Sequence, residues 1–226
     1  KYKIQFFALL FLTIGCNDEE FLLEEPKTFY TFENIFSSES QVDQLLITMY
    51  SRVRNFRTTN YQAKGFSTDV MDAPEFRLST TFGDYSRINP ERGEFRNTYT
   101  FYYQLIATAN TAIYAANLDE ITFESDEKRA YTIAQARFFR AYAHGMLAEL
   151  FGGVPIVTEI ATEPKYDYQR ATREATYQFA IDELEAILVD LPEITVQDGR
   201  IVKGAAQHYL AEFYLGLGIT STDASA

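Results

Sequence analysis

The sequence has no tryptophan, a single cysteine, two histidines and a modest six prolines. One thiol, Cys16, excludes an intramolecular disulfide and a multi-cysteine zinc site, so its position is all it can tell. The histidines are His144 and His208, far apart in the chain. His144 and Glu149 do not form the H-E-x-x-H zinc pattern, and no third ligand lies near them, so metal catalysis has no support. His144 is expected to be a satisfied core or interhelix residue. Gly-x-Ser-x-Gly and glycine-rich phosphate loops are absent as well. Positive charge is also scarce: 20 Lys and Arg face 32 Asp and Glu, a formal net charge of -12. Neutralising a phosphate backbone needs clustered basic residues, so nucleic acid is excluded as a partner. A polybasic hold on an anionic lipid surface is excluded for the same reason.

Long apolar runs are lacking too, with one short exception at the start. Lys1-Tyr2-Lys3 precedes a run from Ile4 to Ile14 interrupted only by Gln5 and Thr13. A bilayer-spanning helix needs roughly 20 such residues, so this run is too short to be one. A basic start, a short apolar stretch and the small residue Gly15 before Cys16 make a secretory signal. Thr13-Ile14-Gly15-Cys16 resembles the lipobox of bacterial lipoproteins, with Thr13 where Leu is usual. That resemblance implies a signal peptide over 1–15, lipidation at Cys16 and membrane attachment through the lipid. The acidic stretch Asn17-Asp18-Glu19-Glu20 resembles the surface-export signal of Bacteroidetes-type lipoproteins.

The rest reads as a globular body. Hydrophobic residues make up 46%, and 19 Phe with 16 Tyr supply an aromatic share of 15%, which suits both a core and a surface that binds through rings. Residues 16–36 read as a tether, and 37–226 as a helical domain. Ser38 with Gln41 is a capping box for a helix from Glu39 to about Asn55, with Val42, Leu45, Leu46 and Met49 on one face. Residues 56–92 lack periodicity and hold Gly65, Pro74, Gly83 and Pro90, so they are expected to be irregular and functional. A second helix follows from about Gly93. A third runs from a Ser125 cap to Leu150, with Ala134, Ala141 and Ala148 at heptad spacing for close helix approach. Phe151-Gly152-Gly153 stops it, glycine supplying a left-handed residue. Val154 to Val157 is expected to be extended. Thr172 caps a fourth helix to Leu191, with Phe179, Ala180, Leu184 and Ile187 inward, and a fifth runs from Lys203 to Leu217. The expected class is all-α, mainly helical, with tetratricopeptide-like hairpins and long irregular loops, although no clean 34-residue period is present.

Several ordered motifs carry a more specific resemblance. Ala136-Arg137-Phe138-Phe139-Arg140-Ala141-Tyr142, followed by Phe151-Gly152-Gly153-Val154-Pro155, is similar to the A-x-F-x-R-A-Y and F-G-G-V-P motifs of the SusD-like (RagB) family of outer-membrane nutrient-binding lipoproteins. Tyr103-Gln104-Leu105-Ile106 with Ala109-Asn110 matches a Y-x-x-I-x-x-A-N stretch, and Leu191-Pro192, Gly199-Arg200 and Lys203-Gly204-Ala205-Ala206 follow in order. The resemblance implies a helical scaffold over a TonB-dependent, SusC-like outer-membrane transporter, to which it delivers glycan or another nutrient. It covers the N-terminal half of a typical member. With no initiator Met and a weak C-terminal ending, the chain is expected to be clipped at both ends, lacking the C-terminal half.

Binding a sugar needs an aromatic face for the apolar side of the ring and polar groups for its hydroxyls. The stretch from Thr68 to Asn97 offers both: Phe76, Phe82, Tyr85 and Phe95 beside Asp69, Asp72, Asp84, Arg87, Asn89 and Arg96. By family position Asp69 and Asp72 are the leading polar candidates, and Tyr99, where a Trp is common in the family, is the leading aromatic one. Phe76 and Arg87 complete the candidate set. Arg137 and Arg140 are expected to hold helices together through buried ion pairs. Glycoside hydrolysis needs two facing carboxylates. Asp182, Glu183 and Glu185 instead lie where helix charges form a solvated face, so no enzyme, cofactor or metal is expected. Glycan capture at the outer membrane is the leading reading. Peptide uptake and a pure docking scaffold are the alternatives.

Overall fold

The computed structural model describes residues 36–65, 68, 89, 91, 93–161, 164–194 and 197–223, and the account below concerns the unit Ser37–Ala226. Its elements are α1 (Glu39–Gly65), α2 (Gly93–Ala116), α3 (Asp126–Phe151), α4 (Arg173–Ile187) and α5 (Lys203–Asp223). Among the described residues there is no strand. The chain is mainly helical, as its periodicity predicts.

Local chemistry sets most of the ends. The Ser125 side chain accepts from Lys128 N–H and opens α3, and Thr172 accepts from Ala175 N–H and opens α4, each quenching one of the donors a helix start leaves unpaired. At α1 the Gln41 side chain reaches one residue beyond the expected partner and accepts from Ser37 N–H at 2.7 Å. Gly152 ends α3 with φ 74° as foreseen, but its ψ of -143° takes it out of the left-handed helical well into a region only glycine tolerates.

Two helix ends differ from the sequence reading. α1 does not stop at Asn55 but continues to Gly65, so residues 56–65 are not irregular. The reason is tertiary: Phe56 stacks on Phe101 of α2 with centroids 3.6 Å apart and meets Tyr102 edge-on, which anchors the added turns. α4 ends at Ile187 rather than Leu191, because the bonds Leu188 N–H to Glu185 O and Asp190 N–H to Ile187 O tighten the chain out of the α pattern.

Consecutive helices run antiparallel, side by side. Phe56 meets Phe101 while Arg52 bonds Gln104. Arg137 meets Glu183 while Arg173 reaches Ala148 O. These are the hairpins expected from the pattern. α3 lies in the middle, touching all four other helices. From Ala134 to Ala148 it is buried at every residue except Arg137, which is why its apolar pattern is broader than a single stripe. Close approach on it is literal: a Cβ on Gly145 would sit 2.1 Å from the Phe213 ring of α5. Tyr50 of α1 ties three elements, its hydroxyl donating to Gln135 and accepting from Ile201 N–H, both at 2.8 Å, under an Arg200 that pairs with Asp43.

Candidate functional site

The connection between α3 and α4 spans 152–172, irregular over its described residues 152–161 and 164–172 and longer than the about 12–15 residues that structureless connections usually reach. Its first arm is clamped to the helices by four side chains. Tyr103 of α2 donates its hydroxyl to Pro155 O at 2.7 Å. The Asn110 amide donates to Val157 O at 3.1 Å and Glu159 O at 3.2 Å, while its oxygen accepts from Arg140 Nη1 at 3.0 Å. That same Arg140 nitrogen reaches Thr158 O at 3.3 Å. His144 closes the set, with Nδ1 at 2.9 Å from Arg140 O and Nε2 at 3.3 Å from Val157 N. A carbonyl can only accept and an amide N–H can only donate, so the imidazole must carry its proton on Nδ1 and leave Nε2 bare. Burial pushes the His144 pKa down to about 4, in keeping with that neutral form.

Behind the clamp sits one carboxylate shared by two guanidiniums. Glu183 Oε2 accepts from Arg140 Nε and Nη2 at 2.9 and 2.6 Å, and Oε1 accepts from Arg137 Nε and Nη2 at 3.2 and 2.8 Å. Burial alone would raise the Glu183 pKa, but the bonds and charges of Arg137 and Arg140 outweigh it and hold the carboxyl below its ordinary range. This is the helix-holding ion pair expected of the two arginines. It also corrects the placement of Glu183 on a solvated face. Thr176, Ala180, Glu183 and Ile187 share one side of α4, and all four are buried. Asp182 does face out and accepts from Gln178 at 2.7 Å.

Beside the first arm an aromatic ledge is built. Tyr99 of α2 packs against Tyr103 at 4.8 Å and meets the Phe151 ring edge-on at 5.3 Å. Burial, followed by the bond with Tyr99, keeps the Tyr103 hydroxyl protonated well above the ordinary tyrosine range. The neck of the loop is sealed. Arg170 donates to Gly153 O and to Phe151 O, and Ala171 N–H bonds Val154 O at 3.1 Å. At Gly153 a Cβ would lie 2.0 Å from Ala171 O, so the backbones meet there directly.

Of the residues singled out in the sequence, Tyr99 is therefore placed on a half-buried ledge beside the loop. Asp69, Asp72, Phe76, Arg87 and Cys16 lie outside the described residues. Phe95 and Arg96 belong to α2 rather than to a loop. The sequence pattern does not mark the loop over 152–172 as a functional region. Its length, between Gly152-Gly153 and the Thr172 cap, is the signal that could have found it. Among the described residues no group of three His, Cys, Asp or Glu could hold a metal ion, and no helix is long and apolar enough to cross a membrane.

Comparison with known proteins agrees with this architecture. The family model described as SusD-like, starch-binding and associating with the outer membrane matches residues 20–215, and the chain belongs to that family. SusD-like protein P2 of Formosa agariphila is 26% identical over 229 residues, 96% of this chain and 43% of the relative. A solved structure described as a laminarin-binding SusD-like protein superposes with a TM-score of 0.67 at 22% identity, over 84% of this chain and 42% of its own. A SusD-like protein of Bacteroides fragilis gives a TM-score of 0.63 at 18% identity, over 79% of this chain and 35% of its own. The chain thus spans less than half the length of the relatives it matches.

Proposed function

We propose that this protein is a non-catalytic, lipid-anchored receptor at the surface of the outer membrane that captures a glycan and passes it to a SusC-like TonB-dependent transporter. The observation that carries the reading is the family match over residues 20–215, whose description couples starch binding to the outer membrane. The geometry supports it. The half-buried Tyr99 ring is braced by Tyr103 and Phe151, and its apolar surface is of the kind a pyranose ring packs on. Asp69, Asp72, Phe76 and Arg87 are the remaining ligand residues of this reading, and Cys16 is its acylation site. Glu183 is buried against two arginines while Asp182 is exposed and bonded to Gln178, and this arrangement of two carboxylates that do not face each other supports the non-catalytic reading.

The test is retardation of the full-length protein in native gels containing individual polysaccharides. Retardation by one glycan class, weakened in Tyr99→Ala, Asp69→Ala and Asp72→Ala, is the expected result. A folded protein that no glycan retards sinks the reading in favour of peptide uptake or a docking scaffold.

A further inference from the structure

Beyond the clamp, residues 155–161 and 164–169 line an open hollow of about 1050 Å³, at the upper end of the size range of small-molecule sites. Its two walls are unlike. The first arm is fixed to α2 and α3 through Asn110, Arg140, His144 and Tyr103, so it is preorganised. The second arm carries two tyrosines, of which folding leaves Tyr166 unused while Tyr168 lies within electrostatic reach of Tyr103. Tyr166 is 92% exposed, and Tyr168 is 43% exposed with the Lys165 ammonium 5.4 Å from its ring centre. A tyrosine ring held in water gains nothing from the fold, whereas an amphipathic ring at the rim of a hollow suits a ligand with one apolar face. Thr158, Glu159, Asp167 and Gln169 set hydroxyl-bonding groups around the same space. Alternating rings and acceptors on a concave wall fit sugar hydroxyls and C–H faces better than the apolar side chains of a protein partner.

From these features we infer that the hollow is a second carbohydrate subsite, adjoining the Tyr99 ledge through Tyr103, that takes uncharged sugar units of an extended chain with Tyr166 as stacking platform. Charge sets the class. Among the lining residues two carboxylates, Glu159 and Asp167, outnumber one ammonium, Lys165, so uronate or sulfate groups meet net repulsion while neutral hydroxyls find acceptors. The subsite rests on the functional reading above in taking the ligand to be a carbohydrate.

The experiment uses the full-length protein and calorimetric titration with neutral gluco-oligosaccharides of increasing length, and with an oligouronate of matched length. Tyr99→Ala serves as reference. In Tyr166→Ala/Tyr168→Ala, long neutral chains should bind about tenfold more weakly, one lost stacking contact's worth, while short ones bind as before. Melting temperature should not move, since neither ring is in the core. If the double variant binds long chains like the wild type while Tyr99→Ala weakens them, the second subsite is wrong and glycan capture stands. Oligouronate binding that the double variant loses overturns the neutral assignment. Wild-type protein that binds no oligosaccharide of any length overturns the functional reading, and the subsite with it.

Discussion

The two arms of the loop between α3 and α4 begin at one neck and meet opposite fates. Backbone oxygens of the first, at Pro155, Val157, Thr158 and Glu159, are taken by side chains from α2 and α3, and its Val157 N–H is taken by His144. The second, from Pro164 to Gln169, is exposed throughout and has internal bonds such as Gln169 Nε2 to Asp167 O. An unpaired backbone group away from water is expensive, so an irregular segment laid against a helical core needs dedicated partners. An exposed segment does not. The difference separates residues whose identity serves the fold from residues the fold leaves free to vary.

Breaking the clamp at its base should have the largest effect. Glu183→Ala leaves Arg137 and Arg140 without their carboxylate, and removing one partner of a buried ion pair destabilises by roughly 3–5 kcal/mol. Urea unfolding of the variant checks it, and a loss under about 1 kcal/mol would mean the pair is idle.

Acid should loosen the same arm. His144 has a folded pKa of about 4 against an ordinary 6.5, so the unfolded chain takes up the proton first as pH falls. Its contribution is full above about pH 6.5 and is lost between there and about 4, in total about 3 kcal/mol at 1.36 kcal/mol per pH unit. The lowered pKa of Glu183 acts with the same sign below the ordinary carboxylate range. Stability measured against pH should therefore fall across that window in the wild type. The part of that fall above the carboxylate range should be missing in His144→Gln, whose amide keeps a donor and an acceptor but does not titrate.

A smaller change behind the clamp is Gly145→Ala, which drives a methyl into the Phe213 ring and should destabilise by about 1–3 kcal/mol through overpacking. Pairing it with Phe213→Leu should recover part of the loss in thermal melts, which no explanation based on helix propensity foresees. At the other extreme, Tyr166→Ala on the free arm should change unfolding free energy by less than about 0.5 kcal/mol. A larger loss would erase the contrast between the arms.

Much of the frame is legible in the amino acids. Ser125 and Thr172 announce their helices through capping chemistry that is local, and Gly152-Gly153 ends α3 because few other residues tolerate that backbone. What is not legible depends on distant partners. The last turns of α1 hang on Phe56 meeting Phe101, a contact no periodicity within 56–65 reports. Glu183 reads as a surface charge until Arg137 and Arg140 are seen opposite it, although its spacing from Ala180 and Ile187 already puts it on the inner face. Among the candidate ligand residues, Tyr99 could be named from a motif, but its ledge needs Phe151 from the far end of α3. The clamp was harder still, since Asn110 and His144 act on carbonyls and an amide of a loop whose path no side-chain pattern encodes.

The seal at the loop's neck has a consequence for how such a chain diversifies. Arg170 and Ala171 close the entry and exit on the backbone of Phe151, Gly153 and Val154. Changes made on the outward arm then end at that knot and do not shift the register of α3 against α4. The segment is thereby insulated from the helices it joins, so substitutions on its outward arm leave the helical frame in register.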